Sequence, residues 1–129
     1  VSELIVSVDS SEIREGSREE VMTLFKELVD FVDANEPRPL AYSVYLNETG
    51  TLVTVFQIHP DSASLETHME VAASLFAGFK DLLTLRAIDI YGAPSERLLG
   101  MLRNKARMLG NATLAVHSLH EGLTRFTPP

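Results

Sequence analysis

The chain has no cysteine and no tryptophan. Without cysteine there is no disulfide framework, no thiolate metal site and no thiol nucleophile. Long hydrophobic runs are also missing. The longest nearly apolar stretch, Val71–Phe79, is far short of the roughly 20 residues that a membrane-spanning helix needs. Residues 1–20 show no apolar signal-peptide region, so a soluble, cytoplasmic protein is expected. Basic residues are few, 11 against 18 acidic, for a net charge of −7. That balance argues against a general binder of nucleic acid or anionic membranes. With 7 Gly, 6 Pro and 45% apolar residues in 129, the composition is that of one folded domain rather than a disordered or repetitive chain.

The charge is unevenly placed. Residues 1–96 carry six basic and seventeen acidic side chains, and residues 97–129 carry five and one. The basic end forms either a solvated helix face or a surface that docks on an acidic one, its own or a partner's.

Periodicity predicts the elements. Leu4–Val8 alternates as a strand, with Leu4, Val6 and Val8 on one face and Ile5, Ser7 and Asp9 on the other. Ser17-Arg18-Glu19-Glu20 fits a capping box, and Val21, Leu24, Phe25, Leu28 and Val32 recur at helical spacing over about 18–34. Pro37 and Pro39 end that helix. Ala41–Leu46 and Leu52–His59 form a hairpin around Asn47–Gly50. Asp61 or Ser62 caps a second helix with the stripe Leu65, Met69, Ala72, Phe76, Phe79 and Leu83. Leu85–Tyr91 is a fourth strand. A third helix begins near Pro94 with the stripe Leu98, Leu99, Leu102, Ala106 and Leu109, Ala112–His120 is a fifth strand, and 126–129 is a frayed end.

The order β-α-β-β-α-β predicts an α+β, ferredoxin-like split β-α-β core over residues 4–92, with a helix-strand extension over 93–129, as a single domain. Both faces of the third strand carry bulky apolar residues, Leu52, Phe56 and Ile58 against Val53 and Val55. One face therefore needs a cover besides the two helices, and the extension or a symmetric partner can supply it.

Between Gly50 and Phe79 the chain resembles the antibiotic-biosynthesis-monooxygenase-like domains of the dimeric α+β barrel superfamily. The resemblance rests on the hairpin glycine, the strand Leu52–His59, Asp61, Leu65-Glu66-Thr67-His68-Met69, Phe76 and Phe79. It implies a homodimer with sheets packed face to face, and a pocket in each subunit between sheet and helices. It also implies activities such as cofactor-independent oxygenation of polycyclic phenols, haem degradation or polyketide cyclisation. The chain departs from the family pattern in having Gln57 where a Glu is common and His59 where a Trp is common. The Asn, Trp and late-helix His of haem-degrading members are lacking, so haem degradation is not expected.

His68 stands three residues after Leu65 and four before Ala72, on the buried stripe. A neutral imidazole there is placed to take a proton from a phenol or enol, the step a cofactor-free oxygenase needs before oxygen reacts. The other reading is a hydrogen-bonded structural histidine. Gln57 and His59 share a strand face and either shape a polar pocket end or meet a partner. Tyr45 and Tyr91 are candidate ligand contacts, with packing as the alternative, while Tyr42 faces away from Tyr45. Asp89 shares a face with Ala87 and Tyr91, opposite Arg86, as a possible inward polar group. His117 and His120 fall on opposite strand faces, a poor metal pair, and no metal-ligand, phosphate-loop or nucleophile-elbow motif appears.

Three functions follow. The first is a cofactor-independent monooxygenase-like enzyme acting on an aromatic or polyketide-like molecule, with His68 as base and Gln57, His59, Tyr45, Tyr91 and Asp89 as ligand contacts. The second is a non-catalytic dimeric barrel that binds a small ligand or a protein. The third is a polyketide-cyclase-like enzyme. No cofactor or metal is expected for any of them.

Overall fold

The structure is a computed structural model that describes residues 3–126. Its elements are β1 (Ile5–Ile13), α1 (Arg18–Asn35), β2 (Ala41–Leu46), β3 (Leu52–His59), α2 (Ser62–Val71), α3 (Ala73–Ala77), β4 (Leu83–Tyr91), α4 (Glu96–Met108) and β5 (Thr113–His117). The five strands form one sheet in the order β2-β3-β1-β4-β5. The first four pair antiparallel and β5 joins β4 in parallel. This is the α+β, ferredoxin-like arrangement that the element order predicts.

Apolar stripes place the helices on one face of the sheet. Val21, Phe25, Leu28 and Val32 of α1, Leu65 and Met69 of α2, and Phe76 of α3 are buried with Val53 and Val55 of β3 and Ile88 and Ile90 of β4. The extension joins the same core through Leu98, Leu102, Ala106 and Leu109. On β1 the inward residues are Ile5, Ser7, Asp9 and Ser11, so the middle strand brings polar groups under the helices.

Several boundaries differ from expectation. The first strand continues to Ile13, because it is flanked by β3 and β4 along its whole length. Ser17 occupies the N-cap of α1 but makes no side-chain capping bond, so no capping box forms. The second helix is broken at Ala72 into α2 and α3, and its stripe stays buried through Phe79 by way of turns. The fifth strand ends at His117, which removes the basis for setting His117 and His120 on opposite faces. Residues 127–129 of the expected frayed end lie outside the described residues.

The largest correction comes from β4. Ser10 is opposite Ala87 but Ser11 is opposite Leu85, which leaves Arg86 as the extra residue of a β-bulge. Simple alternation from the buried Leu83 and Leu85 would carry Ala87, Asp89 and Tyr91 inward. The bulge resets the phase, so Ile88 and Ile90 point inward and Ala87, Asp89 and Tyr91 face the open side. Arg86 bonds Glu12 of that same open side, so Arg86 and Asp89 are not on opposite faces. After β4 the chain turns into the extension at Gly92, whose φ is +124°. A Cβ there would lie 2.5 Å from the Leu4 carbonyl oxygen, so the close approach of the two segments requires glycine.

Candidate active site

His68 is wholly buried on α2. Its Nδ1 lies 2.9 and 3.0 Å from the two carboxylate oxygens of Glu36, which is itself buried. A carboxylate only accepts, so Nδ1 carries a proton and donates, and in the neutral ring Nε2 carries the lone pair. Among the described residues, Nε2 has no hydrogen-bond partner. Leaving such an atom unpaired in the interior costs roughly 1–3 kcal/mol, a cost that folding alone gives no reason to retain.

Local structure aims Glu36 at this histidine. Glu36 follows the last residue of α1, and its N–H still bonds the Val32 carbonyl at 2.9 Å. Pro37 and Pro39 force the chain out of the helix. Arg38 then pairs with Asp61, the N-cap of α2, whose side chain accepts from the Ser64 amide at 2.9 Å. The Arg38 guanidinium, first among the causes, holds the Asp61 carboxyl below its ordinary pKa. One short linker therefore ties the end of α1 to the start of α2, the helix that carries His68. Sequence periodicity does not single out Glu36; its one local signal is a carboxylate next to the two prolines that end the helix.

Around the His68 ring stand Tyr42 at 5.1 Å, Phe76 at 5.5 Å and His59 at 6.2 Å between ring centroids. His59 Nε2 donates to Gln57 Oε1 at 2.8 Å, and its Nδ1 accepts from the Ser64 hydroxyl at 2.7 Å. Both ring nitrogens of His59 are thus satisfied with the ring neutral. Burial, the largest cause, pulls its pKa down to about 3. The structure therefore gathers Gln57, His59 and His68 under the helices. Tyr42 joins them, and its phenol is held well above the ordinary value by burial and by the charges of Asp9 and Glu36.

Beyond Tyr42 and Phe76 lies a chamber of about 30 Å³, lined also by Asp9, Ser11, Phe79 and Lys105. Lys105 Nζ is 3.1 Å from Asp9 Oδ2, both side chains are almost fully buried, and the ammonium lies 4.8 Å from the centre of the Phe76 ring.

The remaining expected contacts are elsewhere. Tyr45 lies opposite Thr54 and is exposed on the open side of the sheet, because β2 alternates in phase with β3. Tyr91 and Asp89 are on that side too, for the bulge described above. There Tyr91 stacks on His117 at 4.5 Å, and His117 Nε2 is 2.9 Å from Asp89 Oδ1. These three border or adjoin a wider groove of about 590 Å³, whose walls include Leu4, Val6, Leu119, Leu123 and Phe126. The expected single set is thus divided by the sheet, with Tyr45, Tyr91 and Asp89 separated from His68.

Among the described residues, no helix is long and apolar enough to cross a membrane, and no three His, Asp or Glu side chains cluster as metal ligands. The basic helix α4 meets the chain's own acidic surface at its first turn. Arg97 pairs with Glu66 and Glu70 of α2, and Ser95 bonds both Ser62 and Glu66.

No family model matches the chain, and no curated protein does. Solved structures do. MupZ from Pseudomonas fluorescens aligns over 97% of this chain and 91% of its own, with a TM-score of 0.74 and 18% identity. A Caulobacter crescentus protein, provisionally described as an antibiotic biosynthesis monooxygenase, aligns over 73% and 92% with a TM-score of 0.65 and 19% identity. SnoaB from Streptomyces nogalater, a cofactor-independent oxygenase, aligns over 73% and 96% with a TM-score of 0.60 and 11% identity. The alignment with MupZ is long enough to include the helix-strand extension. The chain has the ferredoxin-like α+β fold of the antibiotic-biosynthesis-monooxygenase-like structures.

Proposed function

We propose that this protein is an acid–base enzyme of the cofactor-independent monooxygenase type, acting on a phenol- or enol-bearing aromatic or polyketide-like molecule. The observation that carries the reading is the buried His68, fixed by Glu36 through Nδ1 and left with a free lone pair at Nε2. In the proposed step the substrate O–H bond breaks, its proton goes to Nε2, and the electron pair stays on the substrate oxygen. The electron-rich anion is then the species that reacts with molecular oxygen. Glu36 orients the ring and stabilises the imidazolium that forms. Gln57 and His59 are proposed to shape the polar end of the site, and Tyr42 to wall it.

The chamber now has room for about one water molecule, so substrate entry requires Phe76 and the short α3 to yield. Its small size favours a second reading, a closed core in a non-catalytic binding protein. Oxygen uptake with anthrone-like or hydroquinone substrates decides between them. The enzyme reading predicts turnover that falls at least about a hundredfold in His68→Gln, and less in Glu36→Gln. Absence of turnover, or turnover unchanged in His68→Gln, refutes it. Turnover that persists without oxygen assigns the same base to a cyclase-like reaction.

The open sheet face, with Leu4, Val6, Phe56 and Ile58, is proposed to pack on a second copy in a homodimer. Sedimentation at micromolar concentration is expected to give the dimer mass, and a monomer would overturn this assembly.

A further inference from the structure

We infer that Lys105, held by Asp9, is the group that receives the oxyanion produced when His68 takes a proton, and that Phe76 occupies the ligand's place between them. The inference rests on the acid–base reading and assigns it a charge-stabilising residue from the C-terminal extension.

Three observations support it. First, the Asp9–Lys105 pair lies inside the core, where removing two charges from water offsets much of their attraction. An apolar pair of similar volume would hold α4 to β1 about as well, so stability alone is a weak account of it. Second, an ammonium has three donors, and Lys105 makes one hydrogen bond, to Asp9. Its charge faces the ring of Phe76 at 4.8 Å. Third, Phe76 meets the cation by its face and His68 at 5.5 Å in an edge-on arrangement. One aromatic ring already touches both a histidine and a cation. If that side chain withdraws, the space it leaves fits a ring of the same kind, next to the His68 ring and to Nζ of Lys105. Among the described residues, Lys105 is the cation that lines this chamber.

The ligand class is accordingly a planar phenol or enol that is bound more tightly as its anion. 4-Nitrophenol is a suitable probe, because its ionisation is read from its absorbance and needs no turnover. To give the dye access, the titration is run in Phe76→Ala, and repeated in Phe76→Leu in case the larger truncation unfolds the protein. Bound dye is expected to ionise about one pH unit below free dye. Adding Lys105→Met should abolish that displacement, and so should the charge-neutral pair Asp9→Asn with Lys105→Met, which leaves no buried carboxylate unpaired. Asp9→Asn alone should enlarge it, since it frees the ammonium from its counter-charge. Adding His68→Gln should leave it in place. Dye that does not bind to either opened variant, that binds with unshifted ionisation, or that shifts equally without Lys105 overturns the assignment. Failure of the oxygen-uptake experiment would instead remove the His68 step while leaving a measured anion preference at Lys105 intact.

Discussion

His59 and His68 are neighbours with opposite assignments, and hydrogen bonding makes the difference. His59 has both ring nitrogens occupied, by Gln57 and Ser64. His68 has one occupied by a carboxylate and one free. The first is held neutral by its two partners, and its titration gives a stability prediction. Its folded pKa of about 3 lies below the ordinary 6.5. Between those values the unfolded chain holds more protons than the folded one, so stability rises with pH there and is lost on acidification. Unfolding free energies from denaturant titrations are expected to fall from about pH 6.5 downward, with a slope approaching roughly 1.4 kcal/mol per pH unit from this group. In His59→Gln the slope should flatten by that amount. An unchanged slope would show that His59 is not held neutral. Chain periodicity was enough to bury His68, through Leu65 and Ala72 on the same helix face. It could not supply Glu36, which is 32 residues away in sequence, because partner choice across such a gap is settled by how the linker folds.

The helices and the core strands were legible because their apolar residues repeat with clean periods. The hairpin was legible because Gly50, at φ +68°, leaves little choice of residue. Two elements differ from expectation because a single residue interrupts each of them. Ala72 ends α2 with a φ of −96° and ψ of 2°, yet the stripe continues through Phe76 and Phe79, so composition did not mark the break. Arg86 adds one residue to β4, which turns Asp89 and Tyr91 to the opposite face from the one that alternation implies. Bulges depend on pairing with a neighbouring strand, here Ser10 and Ser11 of β1, and such pairing leaves no local pattern. The same break also isolates α3. It carries Phe76 on a five-residue helix, a mounting better suited to movement than the middle of a long one.

Taken whole, the molecule uses the two sides of its sheet differently. Under the helices lies a polar line from Asp9 and Lys105 through Tyr42 to His68 and Glu36, enclosed by apolar side chains. On the open side lie Tyr45, Tyr91, Asp89 and the broad groove, next to the surface proposed to meet a second copy. The extension closes the first side, since α4 contributes Lys105 and is tied to α2 through Arg97. The account depends above all on the proton arrangement at His68. Nitrogen-15 NMR of the histidine side chains at neutral pH tests it directly. The predicted spectrum has the His68 proton on Nδ1 and an unprotonated Nε2, with that preference weakened in Glu36→Gln. A proton resident on Nε2, whether Nδ1 is bare or protonated as well, would contradict the proposed base.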